Sequence, residues 1–221
     1  MKTRTYVLVE GHGETEAVIN LLSRLALEVA PTLLPFAKPI RVPAIATAAA
    51  LSGYAELVRG RPDAKALLAL RDDEDGCPKV DAPLLAERLR ASSLPFPAAV
   101  VLAYREYESL FLPCVEQLAG KALDGPGGSR PGLRADARFE GDFEAKRGVK
   151  EWLTANMPEG RTYKPTVDQL PLTRMVDFAT VRAKGLPWFG SLERALQFLE
   201  RNQGSKSVAY PPARSDRRAA P

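Results

Sequence analysis

Residues 64–76 read AKALLALRDDEDG. Ala66 to Leu70 is an unbroken apolar run of strand length. Without the polar alternation of a half-exposed strand, it predicts a strand buried on both faces of a parallel sheet. The run gives way after Leu70 to Arg71 and then to Asp72, Asp73, Glu74 and Asp75, before Gly76. Side chains alternate along a strand, so Leu68, Leu70, Asp72 and Glu74 share one face if the chain stays extended.

Upstream, Tyr6 to Val9 predicts a strand that ends at Glu10, with Gly11-His12-Gly13 as a tight turn. A helix follows from about Thr15 to Val29, its apolar face built from Ala17, Val18, Leu21, Leu22, Leu25 and Leu27. Glu14 and Glu16 sit at its start, where the helix dipole favours negative charge. Ile40 to Ile45 predicts a second strand, interrupted by Pro43, and Ala48 to Arg59 a second helix. Downstream, Pro83 to Ala91 reads as helix and Ala98 to Ala103 as a buried strand ending at Tyr104-Arg105-Glu106; a helix with Glu108, Leu110, Phe111 and Leu112 follows. This succession predicts an α/β fold, a mostly parallel sheet flanked by helices. The core spans residues 1–118, and a loop rich in Gly, Pro and Arg covers 119–142. A helical extension packed on the core covers 143–202, with helices over 143–157, 167–183 and 191–201. Residues 203–221, with Lys206, Arg214, Arg217 and Arg218, read as a solvated tail.

Composition narrows the chemistry. The chain has 221 residues, one histidine and two cysteines, Cys77 and Cys114. That excludes a disulfide framework, a zinc site and a histidine-based triad. No apolar run approaches the roughly 20 residues of a membrane span, and the N-terminus lacks a signal-peptide core, so the expected location is cytoplasmic with no membrane contact. A net charge of +4 is compatible with nucleic acid as a partner.

The acids fall at strand ends. Glu10 closes the first strand, the Asp72–Asp75 cluster the third, and Glu106 and Glu108 follow the fourth. Ligands of open parallel sheets bind outside the carboxyl ends of the strands, so these acids converge on one rim. Carboxylates brought together repel unless a cation neutralises them. A hard ion such as Mg²⁺, or Mn²⁺ in its place, does so with oxygen ligands, neutralises charge on a phosphate and activates water. Basic candidates for the phosphate are Arg105, through its planar fork, and Lys150, grouped with Lys146 and Arg147. Lys164 and His12, the latter ahead of a helix N-terminus, complete the set. Each has an ordinary alternative: an ion pair of Arg105 with Glu106, a solvated face for the lysines, a turn for His12. Cys77 reads as a small buried group.

Four blocks occur in order: Val9-Glu10-Gly11-His12-Gly13-Glu14, then Asp72-x-Glu74-Asp75 with Cys77-Pro78, then Arg105-Glu106-Tyr107-Glu108, and Tyr163-Lys164-Pro165-Thr166-Val167-Asp168-Gln169. Together they resemble the bacterial DUF4276 family, which looks like a Toprim-type domain. The resemblance implies a Toprim-like sheet in which a glutamate after the first strand and an Asp-x-Asp after the third bind Mg²⁺. By position these are Glu10 with Asp72 and Glu74, and Asp73 or Asp75 can substitute for the second member. Glu106 and Glu108 match the family's third block, with a second ion or a positioned water as their implied role. The implied activity is a Mg²⁺-dependent phosphodiesterase, a nuclease, in a defence or mobile-element system. The alternative is a non-catalytic nucleotide- or partner-binding module working with an ATPase, and Glu74 in place of Asp keeps it open.

Overall fold

A computed structural model describes residues 3–11, 14–42, 48–125 and 128–212, apart from the side chains of Glu14 and Ala48. In chain order the elements are β1 (Arg4–Val9), α1 (Glu14–Val29), β2 (Ile40–Arg41), α2 (Ala48–Arg59), β3 (Ala64–Asp73), α3 (Pro78–Ala91) and β4 (Ala98–Tyr104). A 3-10 helix (Tyr107–Cys114) leads into α4 (Val115–Leu118). There follow β5 (Ala122–Gly125), β6 (Gly128–Pro131), α5 (Val149–Ala155), a π-helical turn (Pro165–Gln169), α6 (Leu170–Met175), α7 (Phe178–Lys184), α8 (Pro187–Arg201) and β7 (Ala209–Tyr210). The sheet order is β2-β1-β3-β4-β7 and every pairing in it is parallel. The buried run of residues 66–70 is therefore the central strand, as its uninterrupted apolar character requires.

Strand alternation divides the core into two layers. Val7, Val9, Leu68, Leu70, Val101 and Ala103 face α1, α8 and the extension. Tyr6, Leu8, Leu67, Ala69, Val100 and Leu102 face α2 and α3. The chain leaves β1 through α1 to β2 on one side, then returns through α2 to β3 on the other, with the two helices on opposite faces. The loops after β1 and β3 thus diverge, and a crevice opens at their carboxyl ends.

Several boundaries depart from expectation for local reasons. Ala17, Val18, Leu21, Leu22, Leu25 and Ala26 are buried, whereas Leu27 is exposed because it falls off that helical face. β2 is two residues long, and its expected continuation to Ile45 enters residues 43–47, outside the described ones. The helix expected over 143–157 begins at Val149, after Gly148 in the left-handed region. The one expected over 167–183 is broken at Val176, and Asp177 caps α7 by accepting from Thr180 N at 3.0 Å. The expected loop of 119–142 contains the β5–β6 hairpin. Residues 203–212 are part of the fold: β7 lies beside β4, and Arg90 donates to the carbonyls of Ala209 (2.9 Å) and Pro211 (2.6 Å). The remainder of the expected tail, 213–221, lies outside the described residues. Among the described residues no helix is long and apolar enough to cross a membrane.

The extension shares a core with the sheet. Leu153, Leu172, Trp188 and Leu196 belong to the same apolar cluster as Leu68 and Val101. Arg24 of α1 donates to the carbonyls of Thr173 (2.8 Å) and Val176 (2.6 Å). Leu153→Ala should cost about 2–5 kcal/mol, as for a buried leucine. Urea unfolding followed by tryptophan fluorescence and by circular dichroism should shift to one lower midpoint. Separate transitions for the two probes would mean that extension and sheet do not unfold as one unit.

Candidate functional site

The crevice at the carboxyl ends of β1 and β3 is a cleft of about 1320 Å³. Glu10, Asp72, Asp73, Glu74, Asp75 and Glu108 line it from three strand ends, with Asp81, Leu84 and Arg88 of α3 on one wall and Lys150, Pro165, Thr166 and Gln169 on the other. Its place at the reversal of strand order is where open α/β sheets bind ligands.

On the α1 and α8 side, the Lys150 ammonium sits among three carboxylates. Its Nζ lies 3.0 Å from Glu106 Oε1, 3.3 Å from Glu108 Oε2 and 3.7 Å from Asp72 Oδ2. Each acid is anchored by a second contact. Asp72 Oδ1 accepts from Tyr107 N at 2.8 Å. Glu106 Oε2 accepts from the backbone of Val149 (2.6 Å) and Lys150 (3.3 Å), so one carboxylate holds both the start of α5 and the ammonium that α5 carries. Glu108 is 1% exposed, and its Oε1 accepts from Tyr163 Oη (2.9 Å) and Gln169 Nε2 (3.2 Å). Burial pushes the Glu108 carboxyl above its ordinary pKa, against the pull of Lys150 and the Tyr163 hydrogen bond. Burial also opposes the charge on Lys150, but Glu108, Asp72 and Glu106 outweigh it and hold the ammonium's pKa above its usual value. Burial and the neighbouring Glu108 raise Tyr163 well above the phenolic range.

On the α2 and α3 side stands Asp73, 2% exposed. Its Oδ1 accepts from Arg71 at 3.0 Å, while Oδ2 is buried and accepts no hydrogen bond. Burial raises its pKa; Arg71 pulls it down, and Asp81 and Asp75 add to the rise. Gly76 closes over it. A Cβ there would come within 2.4 and 2.8 Å of the two Asp73 oxygens and 2.6 Å of Asp81 Oδ2, so a larger residue would have to displace both carboxylates. Asp81 Oδ2 in turn accepts from Cys77 N at 2.7 Å, and Cys77 is exposed, not buried as expected.

The predicted residues are distributed unevenly. β3 ends at Asp73, so Glu74 leaves the strand and is exposed, and the expected Asp72–Glu74 pair on one face does not form. Asp75 is drawn outward by Arg147 (2.8 Å) and lies 4.0 Å from Arg105. Arg105 pairs there, and with the Glu74 carbonyl, instead of with Glu106. Lys146 and Arg147 precede α5 and do not share its helix with Lys150. Lys164 is exposed, and its backbone N–H donates to Asp168 at 2.9 Å. His12 lies outside the described residues. Asp81 and Gln169 are the residues that sequence reasoning passed over as site groups, and Asp73 entered it only as a substitute for Glu74. Strand parity was the available signal for Asp73, since it shares the Ala69 and Arg71 face.

Among the described residues no three acidic, histidine or cysteine side chains are gathered closely enough to hold a metal ion. The donor type nonetheless suits Mg²⁺, which takes oxygen ligands and is commonly bound through one or two carboxylates plus water and substrate phosphate. Asp73 Oδ2 is the buried carboxylate oxygen left to such an ion on the α3 side.

A family model described as "Domain of unknown function (DUF4276)" matches residues 9–197. The chain matches no curated protein and no solved structure.

Asp168 fixes the wall that carries Gln169. It is 1% exposed and bound by Arg161 (2.5 Å) and Arg130 Nε (3.2 Å). Asp168→Ala strands two partly buried guanidinium groups and should cost about 3–5 kcal/mol. A thermal melt within about a degree of the parent would show that this network does not support the fold.

Proposed function

The chain belongs to the DUF4276 family, and on that footing we propose that its switch-point cleft is the site of a Mg²⁺-dependent phosphodiesterase, a nuclease acting on DNA or RNA. The reading is carried by one observation: acids from the ends of β1, β3 and β4 line a single cleft together with basic side chains. Glu10 and Asp73 would hold the ion, with water and the substrate phosphate completing its shell. The ion, when bound, lowers the pKa of a coordinated water and neutralises charge on the phosphate. Lys150 and Arg88, which line the cleft, would meet phosphate oxygens, and Arg71 holds Asp73 in place. The order of a glutamate after the first strand and acids after the third, as in Toprim domains, supports the same reading.

A second reading is favoured by the Lys150 contacts. Because that ammonium already compensates Asp72, Glu106 and Glu108, the cleft reads instead as that of a non-catalytic nucleotide- or partner-binding module working with an ATPase. A role in a defence or mobile-element system would accommodate both.

Purified protein incubated with plasmid, single-stranded DNA and RNA in Mg²⁺ or Mn²⁺ separates them. Cleavage is expected, and Glu10→Gln and Asp73→Asn should each reduce it more than about a hundredfold, since even outer-shell groups of metal sites are worth ten- to a hundredfold. Glu74→Gln should cost less than about tenfold. Cleavage that survives Glu10→Gln and Asp73→Asn would remove the metal assignment, and absence of cleavage on all substrates would favour the module.

A further inference from the structure

β4 is seven residues long and pairs with β3 along its whole length, but β7 pairs with it only at Ala98 and Ala99. In a parallel ladder the backbone groups of successive residues turn to opposite neighbours. Leu67 N donates to the Pro97 carbonyl and Arg105 N to the Asp73 carbonyl, both at 3.0 Å, so the odd-numbered residues of this stretch face β3. Ala98 N donates the other way, to the Val208 carbonyl at 3.0 Å, so Val100 and Leu102 also turn away from β3. After Tyr210 come Pro211 and Pro212, which have no N–H with which to continue the ladder. The Val100 carbonyl and both backbone groups of Leu102 therefore have no hydrogen-bond partner among the described residues. Both residues are buried, at 2% and 3% exposed, where unpaired backbone is costly. They lie along a groove of about 1070 Å³ that shares only Gly76 with the acidic cleft. Ala82 and Pro83 of α3 form one wall, and Val181, Leu186 and Trp188 the other. The groove is the slot of a missing strand, with about 15 Å of open edge from Val100 to Tyr104.

We propose that the open edge of β4 binds an extended segment of a partner protein as an added strand, with apolar side chains against the two walls and an acidic one on Arg194. The backbone groups of Val100 and Leu102 select an extended chain, because they need a donor and acceptors spaced as on a strand. The walls select apolar side chains. Charge selects the acid. Arg182 is taken by Glu28 and Glu193, each at 2.7 Å, and Glu144 accepts from Trp188 N at 3.0 Å at the start of α8. Arg194 donates to Tyr210 Oη (3.3 Å) and Ser191 Oγ (2.9 Å) and pairs with no carboxylate among the described residues. Lys79 adds a positive charge on the facing wall. The chain's own continuation, Ala213-Arg214-Ser215-Asp216-Arg217-Arg218, carries mainly the same sign as Arg194 and is the poorer occupant. The proposal concerns this edge alone and stands under either reading of the cleft.

The probes are two pools of acetylated heptapeptides with valine, isoleucine or phenylalanine at alternate positions, one pool carrying a single glutamate and the other a lysine in its place. Both are screened against the full-length protein, and the tightest binders are titrated by fluorescence anisotropy. The best glutamate peptide should bind at least about tenfold more tightly than its lysine counterpart, and Arg194→Glu should cancel or reverse that ratio. Should Arg194→Glu lower the melting temperature, Arg194→Gln, which only removes the charge, should abolish the preference. N-methylation of the peptide should prevent binding at alternate residues, those that donate to β4, and be tolerated at the residues between. In the free protein the Leu102 amide should exchange its hydrogen faster than those of Val101 and Ala103, and bound peptide should slow it by more than about tenfold. Truncation after Pro212 should change affinity by less than about twofold, whereas a rise of about tenfold would make the chain's own end the occupant and overturn the proposal. Protection of Leu102 that grows with protein concentration alone would mark a second copy as the occupant and overturn it too. The same holds if neither pool yields a binder, if binding is indifferent to N-methylation, or if a bound peptide leaves Leu102 unprotected.

Discussion

A strand cannot aim two consecutive side chains at the same face, and the chemistry of this chain turns on that constraint at the end of β3. Asp72 follows Leu68 and Leu70 to the side of the extension, where it meets Lys150 and the backbone of Tyr107. Asp73 follows Leu67, Ala69 and Arg71 to the side of α3, where it meets Arg71 and approaches Asp81. A run of four acids that looks like one cluster in the sequence is therefore two sites back to back, with Glu74 and Asp75 at its exposed rim. Each site has its own electrostatic solution, an internal cation on one face and a partly satisfied buried carboxylate on the other.

Beside Arg71 and Arg105, two of the cations that serve these acids come from the second half of the chain. Lys150 serves Asp72, Glu106 and Glu108, and Arg147 serves Asp75. Buried acids left unpaired are costly enough to neutralise themselves by taking up protons, so a sheet with this rim needs the extension beside it. Residues 143–202 are then half of the cleft and not an appendage to it. The same logic operates one shell out. The π-helical turn, a local geometry that recurs at functional sites, is held by Asp168 between Arg130 and Arg161, and that turn presents Gln169 to Glu108.

What could be read from the sequence follows from the range of the forces involved. Ala66–Leu70 announced a buried parallel strand because its burial is written in consecutive residues, and the acids after β1, β3 and β4 could be placed on one rim because strand ends are local features. The partnership of Lys150 with residues more than 40 positions away could not be, since nothing local distinguishes it from Lys146 or Arg147. The short β7 escaped notice for a related reason. Two residues carry no periodicity, and what places them is Arg90, more than a hundred residues earlier. The expectation that Asp72 and Glu74 share one strand face failed because it assumed extended chain beyond Asp73, where Arg105 N binds the Asp73 carbonyl at 3.0 Å and the strand stops.

Arg105 shows how that stop is made rigid. Its φ of +71° is left-handed backbone that side chains other than glycine adopt at a cost. Such strain persists only where surrounding contacts overdetermine it, and it gathers at functional sites. Here the contacts are specific: the backbone N–H on Asp73, the guanidinium on the Glu74 carbonyl, and the same group stacked 4.2 Å from the Tyr104 ring centre. A glycine would relax the backbone but could not hold the carbonyl of Glu74. The strained arginine therefore ties the end of β4 to the turn after β3. It keeps Asp73 under Gly76 and leaves Glu106, the next residue, extended toward α5 and the ammonium it carries.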